Sequence, residues 1–417
     1  MSDVQGHVVI VGGGVIGASS AYYLAKSGWQ VTIIDAGEFG RQCSHANCGL
    51  ICPSHVLPLP EPGAVGKTLR SLFQRNAPFR IKPRWDPGLW SWFWKFARRC
   101  KKHHMLAAGQ ARAELLLSSM TLYQELMESE LTDCEWETVG SLYVYQNEKP
   151  FAKYAKTDQL LREGFDLGAR QLGSDELQAM EPSLKPGLAG AWFYEQDAHL
   201  RPDRLMSAWR RCLTDLGVQV IENRQVTGFT RERGRAVAVE TSAGPIAAEM
   251  FLVAVGAWTP WLNRQLQCKV PIQPGKGYSI TMPRPADCPT RPLLFPEHKV
   301  VVTPMQSGYR LGSTMEFAGY DTRIHPRRLQ ALQQGADVYL QQPAAGPVEE
   351  QWYGWRPMTY DGLPIIDRTP STENILVAAG HNMLGVSMAP ATGKMVAEII
   401  NGQPPHIAPE PFSLARF

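Results

Sequence analysis

A glycine-rich turn near the start of the chain restricts the fold more than any other feature. Residues 7–11 form an apolar, β-branched run that is typical of a buried parallel strand. The turn GGGVIG at 12–17 follows, and small and apolar residues at helical spacing predict a helix over 16–27. Residues 30–34 then make a second strand that ends on Asp35. Strand, glycine turn, helix, strand and acid together predict a dinucleotide-binding βαβ unit.

Each position in this unit has a physical reason. Gly12 permits the tight turn, Gly14 lets the backbone approach a pyrophosphate, and Gly17 lets the helix pack closely on the strand. Asp35 follows Gly12 by 23 residues, where a carboxylate can accept hydrogen bonds from both ribose hydroxyls. The alternative is an ordinary βα turn, which a glycine motif alone does not exclude.

Composition describes an ordinary globular protein of roughly two domains. The chain has 417 residues, of which 44% are hydrophobic and 19% charged, and its net charge of +3 is too small to indicate a nucleic-acid partner. Eight cysteines without a CxxC pair or metal-ligand spacing indicate reduced thiols in a cytoplasmic protein and no metal site. No signal peptide and no apolar run of membrane-spanning length is expected.

Two stretches after the nucleotide unit leave alternatives open. Residues 41–57 are small and polar, and we favour a cofactor-contacting loop over a surface loop because they follow the strand that carries Asp35. Residues 58–104 are basic and aromatic, with 11 Lys and Arg against one acid between Lys67 and Lys102. A helix that buries its aromatics under a solvated basic face is favoured over a peripheral contact with an anionic membrane.

Two further strand-to-glycine turns belong beside the first. A strand over 251–255 ends at Gly256, and a strand over 375–379 ends at Gly380 and runs through Gly385 into a helix. The positive end of that helix suits developing negative charge on a ring carbonyl. Between them, residues 271–320 alternate apolar and polar types with many prolines, which predicts a mostly antiparallel second sheet.

Short motifs spread over nearly the whole chain match one known family. They are VGGGVIG at 11–17, SHANCG at 44–49, SLFQRNAP at 71–78, VGAW at 255–258, WRP at 355–357, DG at 361–362, AGH at 379–381 with Gly385, and ATG at 391–393. In these motifs the chain resembles the D-amino-acid oxidase superfamily of FAD-dependent oxidoreductases, and within it the bacterial D-amino-acid dehydrogenases. The 71–78 and 85–99 stretches are the most specific to that subgroup.

The resemblance implies an α/β fold with two domains that are discontinuous in sequence. A glutathione-reductase-like Rossmann domain for FAD would comprise residues 1–57, 198–269 and 355–417. A β-rich α+β domain for the substrate would comprise residues 58–197 and 270–354. FAD is the cofactor that the resemblance implies.

The resemblance also implies a set of cofactor-binding positions. They surround the pyrophosphate, the ribose, the adenine and the flavin ring, and comprise Gly12, Gly14, Val15, Ile16, Gly17, Asp35, Ala36, Ser44, Asn47, Gly49, Leu50, Val226, Ala254, Gly256, Gly380, Gly385, Val386 and Ser387.

Arg356, His45 and Tyr278 are the candidate catalytic residues. Arg356 matches the arginine that holds the substrate carboxylate in related amine oxidases, and a guanidinium suits that role because it presents parallel N–H groups and stays charged. The alternative for Arg356 is a salt bridge between domains. His45 stands where several relatives have a small residue, close to the expected flavin ring.

The chain departs from the family pattern at two positions. Met383 stands where some members have a second arginine, and a tyrosine that helps to hold the carboxylate in some oxidases aligns near Val300 or Val301. Four tyrosines could supply that contact instead: Tyr278, Tyr309, Tyr320 and Tyr353.

The expected reaction is FAD-dependent oxidative deamination of D-amino acids to 2-oxo acids and ammonia, by hydride transfer from Cα to the flavin. Hydroxyproline, proline, glycine or sarcosine as substrate is the alternative, and a non-catalytic flavin-binding subunit of an amine dehydrogenase complex is the third choice. An NAD-linked dehydrogenase is disfavoured, because no second Rossmann unit is present for a diffusible cofactor. The electron acceptor is oxygen or a quinone.

Overall fold

The computed structural model describes residues 5–66, 79–82 and 84–417, so the SLFQRNAP motif at 71–78 lies outside the described part. In chain order the strands of the first half are β1 (His7–Val11), β2 (Gln30–Ile34), β3 (Leu50–Ile51), β4 (Phe79–Ile81), β5 (Ser141–Tyr145), β6 (Arg170–Gly173), β7 (Gly190–Tyr194), β8 (Ala198–His199) and β9 (Gln219–Ile221). Those of the second half are β10 (Val226–Glu232), β11 (Arg235–Thr241), β12 (Ile246–Ala247), β13 (Met250–Val253), β14 (Ile272–Met282), β15 (Leu293–Phe295), β16 (Val300–Met305), β17 (Gly308–Phe317), β18 (Glu350–Thr359), β19 (Ile365–Thr369) and β20 (Thr372–Ala379).

The α-helices of the described chain lie between and around these strands. They are α1 (Val15–Lys26), α2 (Pro87–Arg99), α3 (Lys102–Ser129), α4 (Glu148–Phe165), α5 (Ser174–Met180), α6 (Pro202–Asp215), α7 (Asn263–Leu266), α8 (Pro326–Asp337) and α9 (Gly385–Ile400). Short 3-10 helices cover Gly256–Leu262, Glu410–Phe412 and Leu414–Arg416. None of the helices within the described ranges is long and apolar enough to cross a lipid bilayer.

The first large sheet is parallel except at one edge. Its strand order is β19-β20-β13-β1-β2-β9, with only β19 antiparallel to its neighbour. The βαβ unit predicted from the glycine turn is confirmed, because β1 and β2 pair in parallel and α1 runs between them. The two later glycine turns follow β13 and β20, so all three turns lie at the carboxyl ends of adjacent strands, where ligands bind in such sheets.

Both faces of this sheet are buried, which explains its apolar strands. Val8 and Ile10 of β1 face a core shared with α1 and α9, whereas Val9 and Val11 face a second core shared with β10 and β11. Side chains that alternate between two cores require an almost continuous apolar run, which is the pattern of residues 7–11.

The second large sheet is mostly antiparallel, as residues 271–320 predict. Its order is β18-β14-β17-β16-β15-β5-β7-β6, and β4 also pairs with β17. Helix α8 packs on one face of this sheet, where Leu329 and Leu332 join its core. Two small sheets, β10-β11-β12 and β3-β8, complete the fold.

The expectation for the aromatic segment at 58–104 is only partly correct. Helix α2 buries Leu89 and Trp92 against Phe317, but it leaves Trp90 and Trp94 with exposed fractions of 49% and 58%. Trp85, just before the helix, is 93% exposed. The apolar side chains therefore divide between a buried face and a solvent-facing one.

Candidate functional site

A cavity of about 1630 Å³ opens where the three glycine turns meet the second large sheet. One wall is formed by the ends of β1, β2, β13 and β20 with the loops that follow them, and the opposite wall is formed by β14, β17 and β18. This volume exceeds the usual size of a small-molecule pocket, so the cavity has room for a large cofactor together with a small substrate.

The first glycine turn shapes the floor of the cavity. Gly12 has a φ of +109°, and a Cβ added to it would lie 2.6 Å from the carbonyl oxygen of Ala254, so only glycine fits there. A Cβ on Gly17 would collide with the carbonyl oxygen of Gly12, which shows how tightly α1 packs against the turn. By contrast, a Cβ on Gly14 would meet only Ser44 Oγ, at 3.4 Å, and Gly14 lines the cavity.

The amino-terminal end of α1 is a suitable phosphate site. Its first turn contains no acidic residue, and Gly14 at its N-cap lines the cavity, so the positive end of the helix is directed at the cavity. The amide of Val15 donates to Ser44 Oγ at 3.0 Å, which fixes the following loop against the helix end.

Asp35 stands at the end of β2 with both oxygens oriented by backbone amides. Gly13 N donates to Oδ2 at 2.7 Å, and Gly37 N donates to Oδ1 at 2.8 Å. Burial raises the pKa of Asp35, and the two amide hydrogen bonds oppose that increase. Each oxygen keeps acceptor capacity for a further donor, which is what the two hydroxyls of a ribose would need.

The loop between β2 and β3 is fixed by its own side chains. Asn47 Oδ1 accepts from Gly49 N at 2.9 Å, and Asn47 Nδ2 donates to Cys43 O at 3.1 Å. Leu50 O accepts from Ser387 Oγ at 2.9 Å, which ties the loop to the start of α9. The loop therefore presents its backbone to the cavity in one defined conformation.

Helix α9 directs a second positive end at the same cavity. Gly385 and Val386 of its first turn line the cavity, and this turn contains no acidic residue. The carbonyl of Val386 accepts from the buried Tyr123 hydroxyl at 2.8 Å, which holds the helix end in place. Two helix amino termini therefore converge on one cavity, and both favour negative charge.

Most of the cofactor-binding positions expected from the sequence lie together in the cavity wall. The members that line it are Gly12, Gly14, Val15, Ile16, Asp35, Ala36, Ser44, Asn47, Gly49, Leu50, Val226, Ala254, Gly256, Gly385 and Val386. The lining does not include Gly17, Gly380 or Ser387. Gly17 and Gly380 allow close packing behind their turns, and Ser387 holds the loop through its hydrogen bond to Leu50 O. This arrangement fits an adenine dinucleotide such as FAD. The two helix ends suit its negative charge, Asp35 can accept from the ribose hydroxyls, and Gly14 leaves room for the pyrophosphate.

Arg356 lies in the wall opposite the glycine turns. It is paired with Gly275 across β18 and β14, and its guanidinium extends over Gly277, where any Cβ would collide with it. Nη1 donates to the carbonyl oxygen of Thr314 at 2.8 Å. Among the described residues no carboxylate lies within ion-pair distance of this guanidinium, so nothing in this part of the chain forms a salt bridge between domains with Arg356. Its other N–H donors remain available to a carboxylate ligand in the cavity.

Tyr278 does not lie on the same face of the sheet as Arg356. Adjacent residues of a strand point to opposite faces, and Tyr278 follows Gly277, which faces the guanidinium. The Tyr278 hydroxyl donates to Glu316 Oε2 at 2.9 Å, and its ring packs in the core beneath α8. Tyr278 also borders the cavity, but its hydroxyl is held by Glu316, so the catalytic role expected for it stays a prediction.

His45 is engaged outside the cavity. Its Nε2 lies 2.8 Å from Glu350 Oε1 and 3.3 Å from Arg41 Nη1, and His45 is not among the described residues that line the cavity. The other candidate tyrosines differ in their surroundings: the Tyr309 hydroxyl donates to Pro343 O at 3.4 Å, and the Tyr320 hydroxyl to Ala257 O at 2.6 Å. We therefore do not assign His45 a catalytic role.

Two histidines that are not among the predicted site residues, His55 and His381, also line the cavity. Burial lowers the pKa of His55 to about 4 and that of His381 to about 3, so both imidazoles are neutral near pH 7. His55 Nδ1 lies 3.3 Å from the Tyr143 hydroxyl, and His381 Nε2 lies 3.0 Å from Thr392 Oγ1. His381 follows Gly380 directly, and that position in a strand-to-glycine turn is a signal for a site residue. No comparable motif surrounds His55.

The cavity cysteines are not set up for redox or metal chemistry. Burial raises the pKa of Cys43 to about 11 and raises that of Cys48 as well, so both stay protonated thiols. In the part of the chain that the structure describes, no cluster of three or more His, Cys, Asp or Glu residues could hold a metal ion.

Comparison with known proteins identifies the family. The family described as FAD dependent oxidoreductase (DAO) matches residues 7–399 of this chain. The chain belongs to the DAO family. FAD is therefore its cofactor, as the paired helix ends and the Asp35 site indicate, and its chemistry is that of an oxidoreductase. The resemblance stated from the short sequence motifs is confirmed.

Curated members of the DAO family match over nearly the whole chain. A D-amino acid dehydrogenase of Paramagnetospirillum magneticum is 31% identical, with 98% of each chain covered. A D-amino acid dehydrogenase of Agrobacterium fabrum is 30% identical, with 99% of each covered. A D-amino acid dehydrogenase 1 of Mesorhizobium japonicum is 29% identical, over 96% of this chain and 97% of the relative.

Solved structures confirm the α/β flavoenzyme fold. The glycine oxidase of Geobacillus kaustophilus superposes with a TM-score of 0.79 at 22% identity, covering 99% of this chain and all of the other. The L-proline dehydrogenase of P. horikoshii superposes with a TM-score of 0.73 at 20% identity, covering 99% of this chain and 97% of that one. At this level of identity the comparison concerns the fold, and the substrate has to be argued from the site.

Proposed function

We propose that this protein is an FAD-dependent D-amino-acid dehydrogenase, which oxidises D-amino acids to 2-oxo acids and ammonia. The observation that carries the proposal is Arg356, a guanidinium in the wall of the FAD cavity with one backbone hydrogen bond and no carboxylate partner among the described residues. The match to D-amino acid dehydrogenases over nearly the full length supports the same substrate class.

The proposed mechanism depends on orientation. Arg356 binds the substrate carboxylate, so that the Cα–H bond is directed across the cavity towards the wall that the glycine turns form. When FAD is bound it supplies the hydride acceptor, which is the difficult part of the chemistry. The substrate nitrogen, bound as the neutral amine, donates electron density as the Cα–H bond breaks, and water then hydrolyses the imino acid to the 2-oxo acid and ammonia. The imidazoles of His55 and His381 are neutral near pH 7 because burial lowers their pKa, so neither adds a positive charge to the cavity.

The division of the chain into domains also belongs to this proposal. We assign residues 1–57, 198–269 and 355–417 to FAD binding and residues 58–197 and 270–354 to substrate binding. In support of this division, the strands of the first large sheet all fall in the FAD-binding ranges and those of the second fall in the substrate-binding ranges. The exception is β18, which crosses the boundary at residue 355. The strand that carries Arg356 therefore connects the two parts.

The direct test is reduction of the bound flavin by substrate without oxygen. We expect the purified yellow protein to bleach when D-alanine or D-proline is added anaerobically, and to stay oxidised with the matching L-amino acids. Equal bleaching by both enantiomers, or bleaching only by glycine, sarcosine or hydroxyproline, would favour the alternative substrates. A colourless protein that binds NAD would contradict the proposal altogether.

We further propose that the electron acceptor is a membrane quinone and that the protein contacts the membrane surface through α2. Trp85, Trp90 and Trp94 are exposed beside Arg98 and Lys101, which is the combination of aromatic and basic side chains that favours an anionic lipid surface. The same helix reaches the cavity, since its residues Trp90, Trp92, Phe93, Phe96 and Ala97 form part of the lining. An apolar route between lipid and flavin would suit a quinone better than a polar acceptor.

Vesicle binding tests the membrane contact. We expect the wild type to sediment with vesicles of mixed anionic and neutral lipid, and the double variant Trp85→Ser/Trp94→Ser to bind at least roughly tenfold more weakly, because buried aromatic area is lost. Val348→Ser is the matched control, since Val348 is also an exposed apolar side chain, at 39%, and is not part of α2. Equal binding by the double variant and the control would contradict the contact.

A further inference from the structure

Strand β17 contains a bulge that changes which of its side chains face the cavity. Against β14, Tyr278 pairs with Ser313 whereas Lys276 pairs with Glu316, so β17 accommodates one extra residue. Side chains alternate between the two faces of a strand, and the extra residue reverses that alternation for the rest of β17. Glu316 consequently points to the face where it accepts from the Tyr278 hydroxyl, and Met315 points to the face that carries Arg356.

Two glycines of β14 mark the spacing between the Arg356 guanidinium and two methionine side chains. Gly275 and Gly277 lie on the same face of the strand, and a Cβ on Gly277 would collide with the guanidinium. A Cβ on Gly275 would instead lie 2.7 Å from Met315 Sδ and 2.8 Å from Met358 Cγ. Residues two apart in a strand are separated by roughly 7 Å, so the apolar side chains begin about that far from the group that binds the carboxylate.

The two methionines belong to an apolar arm of the cavity between the second large sheet and α2. The described residues that line this apolar arm are Ile81, Phe93, Phe96, Met315, Met358 and Met383. All of them except Met358 are only partly buried, and as lining residues they leave surface that a ligand can reach. Met383 stands where some family members have a second arginine, so this chain has an apolar side chain in place of a cation at that point.

Few of the described residues that line the cavity are charged, and one of these is near the apolar arm. Besides Arg356, the charged members are Asp35, Glu61, Arg224 and Lys299. Asp35 and Arg224 are joined at the nucleotide end, where Arg224 N donates to Asp35 O at 2.8 Å. Cys100 Sγ donates to Phe96 O at 3.3 Å, and burial together with the nearby Glu61 carboxylate raises the pKa of that thiol. A cationic side chain that reaches Glu61 is therefore the alternative occupant that a test has to separate.

We propose that the apolar arm is the subsite for the substrate side chain, and that it selects D-amino acids with bulky apolar side chains such as D-methionine and D-phenylalanine. This inference rests on the proposed function and names the substrate class of the same site. With carbon–carbon bonds of about 1.5 Å, the methyl group of D-alanine is too short to span the distance from Arg356 to the methionines, whereas the larger side chains reach them. A charged side chain would lose its hydration in the apolar arm, which is costly without a partner. Methionine and aromatic side chains adapt to apolar groups of different shape, so several such amino acids fit.

Matched pairs of substrates test the proposal on the unaltered enzyme. D-Norleucine and D-lysine have the same carbon chain, and D-methionine and D-glutamate are close in length, so the members of each pair differ mainly in charge. We expect kcat/KM, measured with an artificial electron acceptor, to be at least roughly 100-fold higher for the apolar member of each pair. It should also be at least roughly tenfold higher for D-methionine than for D-alanine, because more apolar surface is buried.

A charge introduced into the apolar arm should change this preference. For Met383→Lys we expect kcat/KM for D-methionine to fall at least roughly tenfold and that for D-glutamate to rise, because the ammonium group attracts the side-chain carboxylate. Met383 is partly exposed, so the charged end of the lysine can stay hydrated in the free enzyme. Leu117→Lys is the matched control, since Leu117 is a 40% exposed apolar residue of α3 outside the cavity lining, and it should keep both values within about twofold of the wild type.

The outcomes distinguish this inference from the proposed function. If D-amino acids reduce the flavin but D-alanine is as good a substrate as D-methionine, or a charged member as good as its apolar partner, the side-chain subsite is overturned and the proposed function stands. A wild type whose flavin no D-amino acid reduces would overturn both. Wild-type preferences in a folded Met383→Lys protein would also overturn the subsite. The substrate series needs no variant, so it decides the matter even if Met383→Lys does not fold.

Discussion

Replacement of Arg356 by leucine is expected to lower kcat/KM for D-amino acids roughly 100- to 1000-fold, which corresponds to about 3–4 kcal/mol of lost binding in the transition state. Most of the loss should appear as a raised KM, because the guanidinium binds the carboxylate in both the ground state and the transition state. Leucine is close in size to the stem of arginine and removes only the donors. The measurement is steady-state kinetics with an artificial electron acceptor, supported by the FAD content of the variant.

Two further variants separate the geometry of Arg356 from its charge. Arg356→Lys keeps the positive charge but presents no planar pair of donors, so we expect it to recover only part of the loss. Arg211→Leu is the control, since Arg211 is an exposed arginine that pairs with Asp133 on the surface. An Arg356→Leu protein with an unchanged KM would show that another group binds the carboxylate.

The second large effect is expected at Gly14. In Gly14→Ala the added methyl group would meet only Ser44 Oγ, at 3.4 Å, so the polypeptide has room for it. The methyl group would instead occupy the space through which the backbone approaches the FAD pyrophosphate. We therefore expect a folded protein that purifies almost colourless, with FAD affinity reduced at least roughly 100-fold as measured by titration of the apoprotein.

Two other glycines supply the controls for Gly14→Ala. Gly164 lies in α4 with open space around it, so Gly164→Ala should keep both its colour and its melting temperature. Gly17→Ala should instead lower the melting temperature, because its methyl group would collide with the carbonyl oxygen of Gly12. Full FAD content in Gly14→Ala would mean that the turn does not contact the pyrophosphate in the way we describe.

The nucleotide half of the site was predictable because its determinants are local. The turn at 12–17, the two strands that flank it and the acid at Asp35 lie within 29 consecutive residues, and each is recognisable by residue type. The two later glycine turns could be placed beside the first because parallel strands with short apolar runs have few arrangements. All three turns do lie at the carboxyl ends of adjacent strands, β20, β13 and β1.

The substrate half depends on register, which a single sequence does not reveal. Arg356 and Tyr278 were both named as candidates, yet the pairing of β14 with β18 places them on opposite faces of one sheet. His45 follows the nucleotide unit closely in sequence, but its ring turns outward to Glu350. Nothing in the sequence around Thr314 signals a bulge, because a bulge is created by a mismatch between two strands that are distant in the chain.

Strand β18 ends only three residues beyond Arg356, and its last residue is anchored to the third glycine turn. The side chain of Asn382 accepts from Thr359 N at 3.1 Å and donates to Thr359 Oγ1 at 3.0 Å. The strand that carries Arg356 is thus hydrogen-bonded directly to one of the glycine turns that form the nucleotide side of the cavity. The distance between Arg356 and the glycine turns, across which a substrate must fit, is consequently set when the chain folds.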